Sequence, residues 1–354
     1  LFTSKQSMNW SEAMSAHKPK GPDLVHAESA QTRVKAPRAE RFAGQSRLAF
    51  GAAVHDLALA DEAIYAISAD TLDLMGFRLL QQSLPERVIE CGIAEQNAMG
   101  IASGLASTGL RPFLGGYAPF ITARSMEQLR NDVSYAQQRV VIGGAASGIS
   151  LGVAGGTHHA LEDLAIMQCL PHMTAVVPAD PLQAYWAVMA SNEVDGPMYI
   201  RLGGRVQEME LPANQGMPWQ LGKAQTLREG SDLSVIACGV MVQKALDAAR
   251  QLELQGLSLR VINMHTIKPL DLQAIERAAT ETGGIVTAEE HRLSGGLGSA
   301  VAQWLACHLP TRMRMIGMPD QYAMVGPTEP LREHYGLSAK AIEIACLNLL
   351  KDRV

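Results

Sequence analysis

The sequence predicts an α/β protein of two domains, each a mainly parallel sheet flanked by helices. Three observations carry that prediction. Short apolar segments of strand length alternate with helix-length segments, and such an order lays parallel strands beneath helices on both faces. The alternation runs twice, interrupted by a looser stretch containing proline, "ELPANQGMPW" (210–219). Finally, 354 residues with 47% hydrophobic and 18% charged side chains suffice for about two cores of ordinary soluble size.

Residues 1–41 are polar, mixed in charge and without sustained period, so they read as a flexible N-terminal arm. The chain begins at Leu1, and no signal-peptide pattern is read there. In the first domain, 42–210, "AIYAIS" (63–68), "RVIEC" (87–91), "RPFL" (111–114), "RVVIGG" (139–144), "TAVVP" (174–178) and "MYIRL" (198–202) are strand-like. Helices are expected at about 94–108, 120–137, 159–169 and 181–193. The first of these carries a stripe of Ala94, Ala98, Ile101, Ala102 and Leu105 at helical spacing. Gly100 and Gly104 thin its surface, Gly109 ends it, and Pro112 stands just beyond as a stop. In the second domain, 218–354, strands at 233–239, 259–264, 283–291 and 312–318 alternate with helices at about 241–255, 271–281, 295–308 and 338–350.

Charge and cysteine usage exclude several classes. A net charge of −5 gives no electrostatic footprint for nucleic acid or an anionic membrane. The longest uncharged stretch, Val140 to Thr157, is too rich in Gly, Ala and Ser to span a bilayer. Cys91, Cys169, Cys238, Cys307 and Cys346 are odd in number and form no C-x-x-C pair, which argues for reduced thiols and a cytoplasmic location rather than disulfides or a zinc site.

In open α/β sheets, ligands bind in the loops after the strands. Three loops of the first domain fit: one leading to Glu95, "GGYAPF" (115–120), and the glycine-rich "GGAASGISLGVAGGTHHALED" (143–163). Glu95 on its own reads as a first-turn acid favoured by the helix dipole. The glycine-rich loop lacks the Walker Lys-Ser/Thr ending and reads as a structural turn, feeding a helix capped by Thr157. His158 and His159 have neither an H-E-x-x-H frame nor a Cys/His cluster beside them, and His159 is expected on a solvated face at a helix start. "AEEH" (288–291) fits a capping and packing role as well as a functional one.

The segments "LPERVIECGIAEQNAMGIASGLASTGLRPFLGGYAPF", "MEQLRNDVSYA", "GGTHHALEDLAIMQCLPHMTAVVPAD", "GPMYIRL", "INMHTIKPLD" and "TAEEHRLSGGLGSAVAQ" resemble the transketolase family. They resemble most the C-terminal subunit of split, two-component transketolases, over about Arg47 to the end. The resemblance implies a pyrimidine-binding domain, a smaller C-terminal domain, and thiamine diphosphate bound across a subunit boundary. It also implies a second subunit that carries the diphosphate-binding domain and holds Mg²⁺, because no Gly-Asp-Gly occurs in this sequence. A heterotetramer of two chains of each kind is the expected assembly.

The resemblance places Glu95 as the catalytic glutamate that hydrogen-bonds the ring nitrogen N1′ of the aminopyrimidine. Tyr117 and Phe120 match the aromatic pair beside that ring, and Asp70 an aspartate near the cofactor and the subunit junction. His158 matches a histidine at the donor's hydroxyl end, Arg47 an arginine that binds acceptor phosphate. Other positions depart from the family pattern: Ala146 replaces a histidine, Val153-Ala154 an acidic pair, Leu74 a phosphate-binding serine and Gly204 a phosphate-binding arginine, with Arg205 adjacent. The expected reaction is transfer of a two-carbon ketol or related acyl unit to an aldehyde, with an acceptor that is atypical or not phosphorylated. The β subunit of a 2-oxoacid dehydrogenase, a deoxyxylulose-phosphate synthase and a non-catalytic transketolase-like partner stay open as alternatives.

Overall fold

A computed structural model describes residues 39–204 and 219–351. Its first long element, α1 (Ser46–Ala60), carries few polar side chains, Ser46, Arg47, His55 and Asp56. It is buried on nearly every side, from Ser46 and Arg47 through Phe50 and Val54 to Ala58. A helix buried nearly all round has no stripe for periodicity to reveal.

The rest of the first half alternates strands and helices, of which α2 was not expected: β1 (Ile64–Ser68), α2 (Arg78–Ser83), β2 (Val88–Glu90), α3 (Glu95–Ser107), β3 (Arg111–Tyr117), β4 (Val141–Ala145), α4 (Asp163–Cys169), β5 (Thr174–Val176), α5 (Pro181–Ala190) and β6 (Met198–Arg201). The second half supplies β7 (Gln225–Arg228), β8 (Leu233–Ala237), α6 (Met241–Glu253), β9 (Leu259–Asn263), β10 (Thr266–Lys268), α7 (Leu272–Glu281), β11 (Ile285–Arg292), α8 (Leu297–His308), β12 (Met313–Met318), α9 (Thr328–His334) and α10 (Ala339–Lys351). Among the described residues no helix is long and apolar enough to cross a membrane.

Two mainly parallel sheets result. The first has the order β10-β5-β6-β4-β3-β1-β2, and the second β12-β11-β8-β9-β7. Each carries one antiparallel edge strand, β10 against β5 and β7 against β9. Because β10 comes from the second half of the chain, the two halves share backbone hydrogen bonds. At the centre of the first sheet, β3 and β4 pair Gly115 with Gly143 and Gly116 with Gly144. A Cβ on Gly143 would lie 2.7 Å from the Phe50 ring, so this glycine thins the sheet where α1 packs on it.

Three local expectations are corrected. The segment expected as a helix over 120–137 is helical, but it is wound as π turns at Phe120–Arg124 and Leu129–Tyr135 around a short α turn, Met126–Gln128. The helix expected from 159 begins only at Asp163, and Thr157 does not cap it. Gly148 and Ala160 instead form an antiparallel bridge that closes the glycine-rich loop on itself. His159 is therefore buried rather than solvated, with Nε2 3.4 Å from the Gly152 carbonyl, and burial holds its pKa below the usual imidazole range. Residues 1–38 of the expected arm, most of the interrupting stretch, and Arg205 lie outside the described residues.

Candidate active site

The chemistry-bearing side chains of the first sheet gather at the carboxyl ends of its strands. At the ends of β1 and β2, one carboxylate ties two loops together: Glu90 Oε1 accepts from the backbone N–H of Asp70 at 2.7 Å and of Gly92 at 2.9 Å. Both loop residues are left-handed, with φ of 58° at Asp70 and 67° at Gly92, a conformation that Asp and Gly tolerate better than most. The Asp70 side chain is exposed on this loop.

The chain then turns at Ala94 and enters α3 with Glu95 as its first residue. The other end of α3 closes as expected, with Gly109 N–H bonded to the Ala106 carbonyl and Leu110 N–H to that of Leu105. The Glu95 side chain is only 6% exposed. A carboxylate this buried needs a partner. Arg124 provides one, donating from Nη1 to Glu95 Oε2 at 2.8 Å. Its guanidinium carbon lies 4.2 Å from the centroid of the Phe120 ring.

Phe120 in turn belongs to an edge-to-face trio. Its centroid is 6.0 Å from Tyr117 and 5.1 Å from the His158 imidazole, while Tyr117 and His158 are 5.9 Å apart at 83°. His158 Nδ1 lies 3.0 Å from the Thr157 hydroxyl. Glu95, Tyr117, Phe120 and His158, from three separate loops, thus form one cluster. Its connecting member, Arg124, was not singled out from the sequence, although an arginine four residues after an aromatic in a helical stretch is a recognisable pairing.

Other candidates stand apart from this cluster. Arg47 is 8% exposed, and its guanidinium donates to the carbonyls of Gly204 (3.2 Å), Asp73 (3.3 Å) and Leu74 and to the Gln45 side chain. Leu74 is buried, Ala146 adopts a left-handed φ of 54°, and Val153 is 67% exposed. A Cβ on Gly204 would fall 2.9 Å from the Ser150 carbonyl oxygen, so a larger residue there would have to shift the glycine-rich loop.

"AEEH" resolves into structural roles. Glu289 accepts from the N–H groups of Leu297 (2.7 Å) and Gly298 (2.8 Å), capping α8. Glu290 pairs with Arg332 at 2.7 Å. His291 Nδ1 donates to the Arg292 carbonyl at 2.8 Å, and burial lowers its pKa to about 4. A cavity of about 390 Å³ lies nearby, between the halves of the chain. Its charged lining is already paired, Arg332 with Glu290 and Lys244 with Glu329. Among the described residues, no three His, Cys, Asp or Glu side chains converge to hold a metal ion.

The Glu95 cluster thus sets aromatic rings beside a buried carboxylate. That pairing fits a planar nitrogen heterocycle that turns one ring nitrogen toward Glu95. Residues 44–205 match the family described as "Transketolase, pyrimidine binding domain", and residues 222–342 match "Transketolase, C-terminal domain". The chain is 38% identical over 305 residues to one subunit of the apulose-4-phosphate transketolase of Phocaeicola vulgatus, covering 86% of this chain and 97% of that one. It is 40% identical over 286 residues to SqwH, a subunit of the 6-deoxy-6-sulfo-D-fructose transketolase of a Clostridium species, covering 80% and 87%. A solved structure described as a split gene transketolase, inactive beta4 tetramer, superposes with a TM-score of 0.79 at 37% identity, over 87% of this chain and 98% of that one.

Proposed function

We propose a function from one premise: the chain belongs to the transketolase family. It is the pyrimidine-binding and C-terminal half of a split transketolase, one subunit of a transferase that moves a two-carbon unit to an aldehyde. The observation that carries this reading is the buried Glu95 carboxylate beside the Tyr117, Phe120 and His158 trio. When bound, thiamine diphosphate supplies the carbon nucleophile for that transfer. Glu95 shares a proton with the cofactor's ring nitrogen N1′, held in place at the start of α3. Tyr117 and Phe120 flank the ring and keep water from it, and His158 reaches the donor's hydroxyl end. Asp70 lies toward the subunit junction. Arg47, bound to carbonyls of both the 73–74 segment and Gly204, holds these two segments together. Arg205, next in sequence after Gly204, is the remaining candidate to meet the acceptor.

The diphosphate and its Mg²⁺ fall to a second subunit, since this sequence has no Gly-Asp-Gly. Calorimetry with thiamine diphosphate and Mg²⁺ tests the assignment, on the chain alone and after a diphosphate-binding subunit is added. Tight binding is expected only in the mixture. The Glu95→Ala variant should lower turnover there by about 10²- to 10⁴-fold, the usual contribution of general acid–base catalysis. Absence of binding in the mixture points instead to a non-catalytic partner.

The substrate end is proposed to be unlike the usual sugar phosphate site. The two relatives are named for sugars with different terminal groups, a phosphate and a sulfonate. Here the solvent-facing Val153, the buried Leu74 and the unsubstituted Gly204 offer few groups to bind a terminal anion. A site that does not bind a group gains little from substrates that carry it. Free and phosphorylated aldehydes should therefore be used with kcat/KM values within about tenfold of each other. A steady-state comparison decides this, and a strong preference for the phosphorylated acceptor rejects it.

A further inference from the structure

We propose that the Arg124 guanidinium is an internal stand-in for the cofactor's aminopyrimidine, occupying that ring's place until the cofactor displaces it. The inference rests on the functional reading above and concerns the same site. Its basis is the double engagement of one side chain. Arg124 Nη1 donates to Glu95 Oε2 at 2.8 Å, while the guanidinium carbon sits 4.2 Å from the Phe120 centroid. A guanidinium is flat, cationic and edged with N–H donors, so it stacks on an aromatic face and bonds a carboxylate at once. An aminopyrimidine bound to Glu95 and flanked by Phe120 makes the same two demands. At 4.2 Å the guanidinium already fills the stacking distance over that ring face, so a second planar group cannot lie there with it.

The local backbone and exposure suit displacement. The π turn Phe120–Arg124 brings Arg124 back over the ring from which it starts. The Arg124 side chain is 45% exposed while that of Glu95 is 6% exposed. The arginine can therefore swing to solvent at small cost, whereas the glutamate cannot. In the empty chain Arg124 keeps the buried carboxylate compensated; on cofactor binding it leaves, and its departure lowers the apparent affinity. Arg124 is in this sense a positioning residue, acting through Glu95.

The test compares wild type, Arg124→Gln and Arg124→Lys in complex with the diphosphate-binding subunit, titrating thiamine diphosphate with Mg²⁺ by calorimetry. Arg124→Gln should bind roughly two- to fivefold tighter, the size expected for removing one half-exposed competing ion pair. Arg124→Lys, which keeps the charge but cannot stack flat, should fall between. The isolated chain gives an independent readout. Arg124→Gln should lower its melting temperature, and adding Glu95→Gln should restore much of the loss. Cofactor binding that is unchanged or weaker in both Arg124 variants overturns the stand-in role, because a purely structural arginine would behave so. Should Arg124→Gln not fold, the direction of the shift in Arg124→Lys decides alone. If the wild-type complex binds no cofactor, the functional reading falls first and takes the inference with it.

Discussion

A buried titratable side chain reports its environment through pH, and His265 does so without touching the proposed chemistry. It is fully buried, stacks on Trp219 at 4.7 Å, and has Nδ1 2.9 Å from the Thr266 hydroxyl. Burial pushes its pKa down to about 4. Between pH 6.5 and 4 the unfolded chain then binds a proton that the folded chain refuses. The histidine's contribution is complete above about pH 6.5 and is lost as the pH falls toward 4. One such group is worth at most about 3 kcal/mol across that window. Denaturation of the isolated chain from pH 4 to 8 should show the acid loss, with a shallower slope in His265→Gln; equal slopes would reject it. Glu289 acts with the opposite sign, since burial raises its pKa to about 7 and the charged form is disfavoured as pH rises from 4.5. Neither behaviour was legible in the sequence, because burial of a lone histidine or glutamate follows from tertiary packing. Glu95, Tyr117, Phe120 and His158 were legible as candidates only through the resemblance of their motifs to the transketolase family, since Glu95 on its own reads as a first-turn acid. Arg124 was not, since its role depends on which side chain it folds back upon.

Element boundaries divide in the same way. Helix α6 buries Met241, Val242, Ala245, Ala248, Ala249 and Leu252 along one stripe, and periodicity finds it. Helix α1 has no exposed polar face of comparable width, and periodicity passes over it. Strands β7 and β10 escape for a different reason: they are short edge strands, with too few residues for a pattern. Helix α3 allows a quantitative check on its glycines. Gly109 lies beyond its end with φ of 91°, and a Cβ there would meet no atom within 4 Å. Gly109→Ala should therefore cost about 1 kcal/mol through backbone strain alone. Gly100 lies inside the helix, and its Cβ would likewise meet nothing within 4 Å. Gly100→Ala should stabilise the isolated chain by about 0.5–1 kcal/mol, because glycine is the poorer helix former. Urea denaturation of the two variants checks the opposite signs, and a shared sign refutes the account.

At the scale of the whole molecule, the question is what makes two halves behave as one body. Part of the answer is backbone, through β10 on the edge of the first sheet. The rest is a buried ionic seam. Arg201 on β6 donates to Asp163 at 2.8 and 3.1 Å, to the Ala160 carbonyl at 2.8 Å, and across the seam to the Glu290 carbonyl at 3.0 Å. Tyr199 adds its hydroxyl to Asp163 at 2.7 Å. Asp163 is buried, and the charges around it hold its carboxyl below the usual range despite the desolvation. Such a pair contributes little over a well-packed apolar substitute, yet removing one member strands the other without compensation. Arg201→Met should thus cost about 3–5 kcal/mol, seen as a lower urea midpoint. Adding Asp163→Asn should recover part of that loss, since the stranded charge is then gone. A small effect in the single variant, or none of the loss recovered in the double, would mean that β10 and the apolar contacts hold the halves together without the seam. The glycine-rich loop lies beside this seam, where Ser147 donates to the Leu202 carbonyl, and carries His158 of the Glu95 cluster. Loosening the seam should therefore reach the site through that loop.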